Sequence, residues 1–389
     1  MRLAPARMST TMIDSETPID LVINTGAIIA LRLFDIAYSI DLGRVEALWA
    51  EHSSGSIRRG KLSGTPEKAV AFGVPPVELV LDSVILVLDG APVRADVTAR
   101  FYDFGAVAIA VRISVADMRW MNFVDQAQAV DRAIGPMADD QFWQGMLNQV
   151  RAVVAPALLR PSATAIEEDY LLAIVQKLSE PLSAAELQQR VDLVPLLSGE
   201  RRALSDSARG EILRQTFSYY VDDLVVLTWD RAFIYEPRGD SDVADVLEVA
   251  NAQLLELRYY DELLDAELPG MYDRVEEARR TTSLFAARRF AALARRLYTL
   301  VAEVTELTEK VDNALQVTED VYLARIYAAA LASFRVPLLG AAVDRKLAII
   351  RDTYTALYDE ASSSRAELLE LAIIVLIMIE IVLALSLKR

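Results

Sequence analysis

The chain contains no cysteine and a single histidine, His52, among its 389 residues. The absence of cysteine excludes disulfides, thiolate nucleophiles and cysteine-based zinc sites, and one histidine is too few for a multi-histidine metal site. Carboxylate, lysine, serine or tyrosine chemistry remains, but no spacing in the sequence assembles a nucleophile, a base and an orienting group. We therefore predict no metal site and no cofactor, and the sequence favours a noncatalytic protein over an enzyme.

Positive charge is also scarce, because 40 basic residues face 56 acidic ones and the formal net charge is −16. The averaged field repels phosphate, so DNA is not an expected partner. Asp14, Glu16 and Asp20 precede the first apolar run, which is not the pattern of a secretory signal. We predict a flexible N-terminus over residues 1–20.

The first half of the chain is rich in β-branched and aromatic runs, which predict strands. These runs lie at 30–40, 77–88, 97–104 and 105–115, and a hairpin turn is expected at Asp103 to Gly105. A similar order of strand, short helix and hairpin recurs at 168–180, 182–191 and 213–237. We predict an α+β body over 21–240 with an internal duplication, about 29–136 and 167–260. An ordinary antiparallel sheet without a repeat is the alternative.

A loop rich in glycine, serine and proline follows His52. Within it, Gly55, Gly60 and Lys61 have the GxxxxGK spacing of a phosphate loop. The next residue is Leu62 where magnesium binding requires serine or threonine, and prolines and glycines interrupt the helix that should follow. A surface loop is the favoured interpretation, and a ligand- or nucleotide-binding enzyme using residues 55–63 is the alternative.

From residue 241 to 370 the pattern becomes helical, and Pro269-Gly270 and Pro337 to Gly340 divide it into three long segments. Two of these segments carry apolar residues at alternating spacings of three and four, which favours a coiled-coil-like hairpin or an oligomeric bundle. Packing against the chain's own sheet is the alternative. The apolar positions are Leu297, Leu300, Val304, Leu307, Val311, Ala314 and Val321, then Leu347, Ile350, Tyr354, Leu357, Ala361, Leu368 and Leu371.

Residues 371–387 are apolar on every face except for Glu380, and they predict a C-terminal transmembrane helix. Their length, about 25 Å at 1.5 Å per residue, is at the lower limit for a bilayer. Glu380 favours packing against another helix over exposure to lipid. A helix buried in a soluble bundle is the alternative. The predicted anchor residues are Leu371, Ile374, Leu376, Ile379, Glu380, Leu383 and Leu387.

Paired arginines form the one concentrated basic segment of the helical region. They suggest contact with an anionic lipid, RNA or an acidic protein surface. Pairing within the chain, to Asp261, Glu262, Asp265 and Glu267, is the favoured alternative. The pairs are Arg279 and Arg280, Arg288 and Arg289, and Arg295 and Arg296.

Three stretches, 99–113, 246–265 and 367–385, together resemble the Required for Meiotic Nuclear Division proteins, a domain of unknown function. The resemblance implies a membrane-attached protein that forms homo-oligomers and supports translation at the membrane. It implies no catalytic residues, and a bacterial member is expected.

The fold class that we predict is α+β: a duplicated antiparallel-sheet body, a coiled-coil-like hairpin of long helices and a C-terminal transmembrane helix. The functional hypothesis is a noncatalytic membrane-anchored scaffold that self-associates through its C-terminal helices. RNA or ribosome binding through the arginine pairs is a further alternative. We expect the inner (cytoplasmic) membrane with the body in the cytoplasm, or the mitochondrial inner membrane facing the matrix in a eukaryote.

Overall fold

The computed structural model describes residues 21–52, 57–59, 74–162, 166–239, 242–280, 291–299, 301–302, 304–305 and 321–386. The strands are β1 (Val22–Asp35), β2 (Ala37–Ile40), β3 (Ile57–Arg59), β4 (Val77–Val80), β5 (Val84–Leu88), β6 (Ala91–Phe101), β7 (Ala106–Val115), β8 (Met118–Arg119), β9 (Leu158–Pro161), β10 (Glu167–Leu178), β11 (Thr216–Phe217), β12 (Leu224–Leu227) and β13 (Arg231–Tyr235).

Helices alternate with these strands in the first part of the chain, and only helices follow the last strand. They are α1 (Leu42–His52), α2 (Trp120–Ile134), α3 (Gln141–Val154), α4 (Ala184–Arg190), α5 (Val194–Ser198), α6 (Asp206–Ile212), α7 (Val243–Arg280), α8 (291–299, with helical residues at 301–302 and 304–305), α9 (Val321–Ser333) and α10 (Val336–Ser386). The predicted α+β class is confirmed, and it has one large sheet.

The large sheet runs in the order β11-β12-β13-β10-β1-β7-β6-β4-β3, with β5 pairing to β6 and β8 to β1. Strands β10 and β13 are parallel, whereas β1 pairs antiparallel with both of its long neighbours. The sheet is therefore mixed, not antiparallel throughout as the sequence predicted. A parallel pair needs a long crossover, and residues 179–230 with α4, α5 and α6 supply it.

The hairpin turn lies at Asp103 to Gly105, as the sequence predicted. The repeated hairpins β6–β7 and β12–β13 are both present, and each places its second strand beside the first strand of its half. Because β7 is antiparallel to β1 while β13 is parallel to β10, the two halves differ in strand direction. The duplication stays a prediction.

The central strands are buried on both faces. Along β1, Ile28 and Ala30 belong to the core covered by α1, α2 and α3, whereas Ile29 and Leu31 belong to the core covered by α7 and α9. Alternation along a strand places consecutive side chains on opposite faces. The sheet thus separates two hydrophobic cores, and the cavity described below lies on the α7 face.

A third core lies away from the sheet, between the second half of α7, α8 and α10. Leu297, Leu347, Ile350 and Leu357, predicted heptad positions, are buried in it within one chain. Helix α7 continues through Pro269, where the sequence predicted a break. Tyr260 and Leu264 before the proline and Met271 after it share this core, so packing on both sides holds the helix together.

Helices α9 and α10 meet at Arg335, whose φ of 59° ends one helix before the next begins. In the described part of the chain, no single helix is long and apolar enough to cross a membrane. The bent pair Val321–Ser333 and Val336–Asp359, which meet at 63°, passes that test together by length and composition, and Ala372–Ile381 is a shorter apolar helical segment.

Candidate functional site

A cavity of about 430 Å³ lies between the α7 face of the sheet and the first two turns of α7. Its floor is apolar and its rim is charged, which is the usual character of a small-molecule site. The floor is formed by Ile29, Leu31, Ala108, Ala110, Leu172, Ile174 and Ile234, and the rim by Glu78, Asp96, Thr98, Arg100, Arg112, Gln176, Glu236, Gly239, Ala244, Asp245 and Glu248.

The cavity exists because β7 presents small side chains to α7. Ala108 and Ala110 point toward the helix, and the register places them beside Leu33 and Leu31 of β1 on one side and Arg100 and Thr98 of β6 on the other. A methyl group fills much less of the space below a helix than a leucine side chain. The alanine-rich hairpin thus leaves room above the centre of the sheet.

Arg100 connects the first turns of α7 to strands β6 and β4 of the sheet. Its guanidinium donates to Asp245 at 2.6 Å and Glu248 at 3.2 Å on α7, and to Glu78 at 2.9 Å on β4. Tyr102 donates its hydroxyl to the other oxygen of Glu248 at 2.7 Å. One buried guanidinium therefore serves three carboxylates, which leaves this cluster with a formal charge of −2.

Burial and charge together shift the pKa values of Glu248 and Arg100. Burial raises the pKa of Glu248, and Arg100 only partly offsets that effect. Burial also opposes the charge of Arg100, but the carboxylates of Glu248, Asp245 and Glu78 outweigh it and raise the pKa of the guanidinium well above its usual value. Arg100 stays charged at every accessible pH, and the excess negative charge resides on the carboxylates.

Arg112 lies on the opposite side of the cavity from Arg100. It is half-buried and lines the cavity, and among the described residues it has neither a hydrogen bond nor an ion pair. Burial lowers the pKa of Arg112, and the nearby charge of Asp96 offsets only part of this effect. Asp96 itself accepts from Ser83 at 3.1 Å.

A family model described as "Uncharacterized protein MJ0711, N-terminal domain" matches residues 25–242, more than half of the chain. The chain belongs to this family. A curated relative, an uncharacterized protein of Methanocaldococcus jannaschii, is 26% identical over 220 residues, which is 56% of this chain and 66% of the relative. No solved structure matches.

The MJ0711 family match overturns the resemblance to the Required for Meiotic Nuclear Division proteins, which was wrong. That resemblance depended on the order of a hairpin, a helix and an apolar end, an order that a mixed α+β chain with long helices produces without common family membership. The MJ0711 domain spans the sheet from β1 to the residue before α7. The floor of the cavity thus belongs to the family domain, while Asp245 and Glu248 lie just beyond it.

The phosphate-loop candidates Gly55, Gly60 and Lys61 lie outside the described residues, as do Arg288 and Arg289. Arg279 and Arg280 are the last residues of α7. Arg295 and Arg296 lie on α8, and Arg296 donates to Glu267 at 2.8 Å. This ion pair is of the intramolecular kind that the sequence favoured. Two of the other acidic residues in that group, Asp261 and Asp265, contact Lys346 at 2.6 and 2.7 Å.

The predicted anchor residues lie at the end of α10. Ile374, Leu376, Ile379 and Leu383 are 52%, 65%, 50% and 54% exposed, and Glu380 is also exposed. Leu371 is helical, and Leu387 lies outside the described residues. The exposed large apolar side chains of this tip are Ile373, Ile374, Val375, Leu376, Ile377, Met378, Ile379, Ile381 and Leu383.

A second group of buried charges lies where β1 meets α7. Asp35 and Glu256 are each 2% exposed, and Tyr260 donates its hydroxyl to Glu256 at 2.8 Å. Asp35 Oδ2 and Glu256 Oε1 lack a hydrogen-bond partner among the described residues. Burial raises the pKa of Asp35 to about 6, and burial together with the charge of Asp35 raises the pKa of Glu256.

This pair predicts a pH-dependent stability. The native pKa of Asp35 lies about 2 units above its unfolded value, so its stabilising contribution is complete below pH 4 and is lost as pH rises through 6. Asp35→Asn should therefore raise the free energy of unfolding by about 2–3 kcal/mol at pH 8 and by little at pH 4. Urea unfolding at both pH values measures this difference, with the exposed-carboxylate variant Asp82→Asn as the control. An equal effect of Asp35→Asn at both pH values would contradict the assignment.

The sequence analysis missed the whole rim of the cavity. A signal was present, because Asp96, Thr98 and Arg100 on β6 alternate with apolar residues, and Arg112 is the one charged residue of β7. Such alternation predicts a polar strand face, but only the sheet register shows that β6, β7 and α7 bring these side chains together. Among the described residues, no group of three or more His, Asp or Glu side chains has the arrangement of a metal site.

Proposed function

We propose that the protein is a membrane-attached tether. The apolar end of α10 enters a bilayer, and the sheet domain with its cavity is held at the membrane surface. The observation that supports the proposal is the all-round exposure of the α10 tip, where nine consecutive or near-consecutive large apolar side chains are each 49–65% exposed.

Exposure of this kind is unfavourable in water. Soluble monomers rarely present contiguous apolar patches of more than a few hundred Å². Each buried isoleucine, leucine or valine contributes about −0.3 to −0.6 kcal/mol to insertion, whereas a charged residue at the centre costs about 2.5–3.5 kcal/mol. Twelve such residues lie between 371 and 387 against the one carboxylate of Glu380. The sum favours lipid over water.

The other apolar helices are already covered. Within the bent pair α9 and α10, Leu323 and Ile326 pack on the sheet core, and Val343 and Ile350 pack on α7 and α8. These side chains are buried inside the chain and offer no free surface to lipid. The tip of α10 thus has a larger contiguous exposed apolar surface than the bent pair.

Self-association belongs to the same proposal. Helix α10 has 51 residues and is about 75 Å long, so its tip extends away from the sheet domain. A carboxylate in the apolar region is best accommodated against another helix. Glu380 of one copy facing α10 of a second copy satisfies this need at one depth in the membrane.

Charge substitutions at the tip test the proposal. Replacing Val375 and Ile379 together with lysine adds about 6–7 kcal/mol to the cost of insertion, so the chain should move from the carbonate-resistant membrane fraction to the soluble fraction. The matched control replaces Leu338 and Ile349, exposed apolar residues near the start of α10, with lysine and should stay in the membrane. Release of the unmodified chain by carbonate, or retention of the tip variant, would contradict membrane insertion.

A further inference from the structure

The cavity above the sheet has two charged poles of opposite sign. The acidic pole is the Arg100 cluster, in which the carboxylates of Glu78 and Asp245 are 17% and 28% exposed and share one guanidinium with Glu248. The basic pole is Arg112, which makes no hydrogen bond or ion pair within the described chain. The carboxylate of Asp96, its cross-strand neighbour on β6, offsets only part of its charge. Both poles line the same space.

Neither pole is electrostatically complete. Three carboxylates around one arginine leave a surplus of negative charge in a partly desolvated place, and a cation from outside would neutralise it. Arg112 is a half-buried cation that makes no hydrogen bond in the described residues, and a carboxylate is the group that its planar fork binds best. An ammonium group would complement the acidic pole, and a carboxylate would complement the basic pole.

The register of the sheet sets the distance between the poles. Arg100 is paired with Ala108 across β6 and β7, and Arg112 lies four residues further along β7. Four residues of a strand span about 13 Å. The floor between them is apolar, formed by Ala110 with Ile29 and Leu31 of β1. A ligand that reaches both poles therefore has its charges at its ends and an apolar middle.

We propose that this cavity binds a zwitterionic small molecule, with an ammonium group against Asp245 and Glu78, a carboxylate against Arg112 and an apolar chain over Ala108 and Ala110. The overall charge of the rim excludes phosphate-rich ligands such as nucleotides, because five carboxylates surround the cavity against two guanidinium groups. The proposal is independent of membrane attachment, since it rests on the sheet and the first turns of α7 alone.

Binding of simple probes to the full chain in lipid nanodiscs tests the proposal, with binding to empty nanodiscs subtracted. Calorimetry should show saturable binding of aminohexanoate. Hexylamine and hexanoate each lack one charged end. Each should bind at least about tenfold more weakly than aminohexanoate. Aminobutyrate, which is too short to reach both poles, should also bind weakly. These four measurements need no substitution.

Substitutions then test whether the probes bind in this cavity or elsewhere on the chain. Arg112→Gln should weaken aminohexanoate binding by about tenfold and remove its advantage over hexylamine, because only the carboxylate loses its partner. Ala110→Leu fills the floor and should abolish binding of every probe. Arg214→Gln, at an exposed arginine that follows α6 and does not line the cavity, should change nothing.

Three results would overturn the proposal. They are the absence of saturable binding of aminohexanoate, equal affinity for aminohexanoate and hexylamine, and binding that survives Ala110→Leu. Melting curves recorded beside each titration confirm that the variants are folded.

Discussion

Arg100→Met should lower the free energy of unfolding by about 3–5 kcal/mol, because it leaves a buried group of carboxylates without its cation. Arg100 is the one side chain that donates to Glu78 on the sheet and to both Asp245 and Glu248 on α7. Without it, the two carboxylates at the start of α7 and the carboxylate of Glu78 on β4 lie close together with no cation between them. Repulsion between these groups, in a place with little water, separates the helix from the sheet.

The pH dependence of this loss identifies its origin. Because burial raises the pKa of Glu248, acid neutralises this carboxylate, and the loss should be smaller at pH 4 than at pH 8. Chemical unfolding of the two proteins at each pH gives the comparison. Arg94→Met, at an arginine whose side chain is 75% exposed, is the matched control and should change stability by less than about 0.5 kcal/mol. A loss at Arg100 that is equally small would show that the cluster does not hold α7 in place.

Gly105→Ala should prevent folding or reduce stability by more than about 4 kcal/mol. Gly105 has a φ of 110°, and a Cβ atom at this position would lie 1.8 Å from the carbonyl oxygen of Ala37. That oxygen is a backbone atom of the first residue of β2, so it has no side-chain freedom with which to move aside. Either the β6–β7 hairpin or the β2 segment has to shift, and both pack against buried cores.

Gly90→Ala is the control for the backbone conformation alone. Gly90 also has a positive φ, 86°, but no atom lies within 4 Å of an added Cβ. Gly90→Ala should lower the free energy of unfolding by about 1–2 kcal/mol, which is the strain of a residue other than glycine in the left-handed conformation without a steric clash. Thermal unfolding of both variants separates strain from overlap. If both variants lost the same free energy of unfolding, β2 would have to move and make room for the methyl group added at Gly105.

The sequence predicted the parts of the fold that local patterns determine. The β6–β7 hairpin with its turn at Gly105, the α+β class and the long helical region all follow from alternation, glycine placement and helical spacing. The parallel pairing of β10 with β13 was missed, because residues 179–230 carry no signal for the edge at which the chain returns. The break predicted at Pro269 was wrong, because tertiary packing on both sides of the proline outweighs its local preference.

The cavity was less accessible to sequence reasoning than the fold. Glu78, Arg100 and Glu248 are up to 170 residues apart in the chain, and only strand order and helix packing bring them together. Each of them alone is typical of an exposed strand or helix face. The apolar tip of α10, by contrast, could be recognised from the sequence. Its composition alone, apolar on nearly every face, indicates an environment other than water.

Solvent access to the tip of α10 is the most direct test of membrane attachment. Because the chain has no cysteine, a single introduced cysteine reports on one position only. In isolated membranes, Ile377→Cys should resist a water-soluble maleimide until detergent is added, whereas Leu338→Cys, near the start of the same helix, should react at once. Rapid labelling of Ile377→Cys in intact membranes, at the rate of Leu338→Cys, would contradict the account.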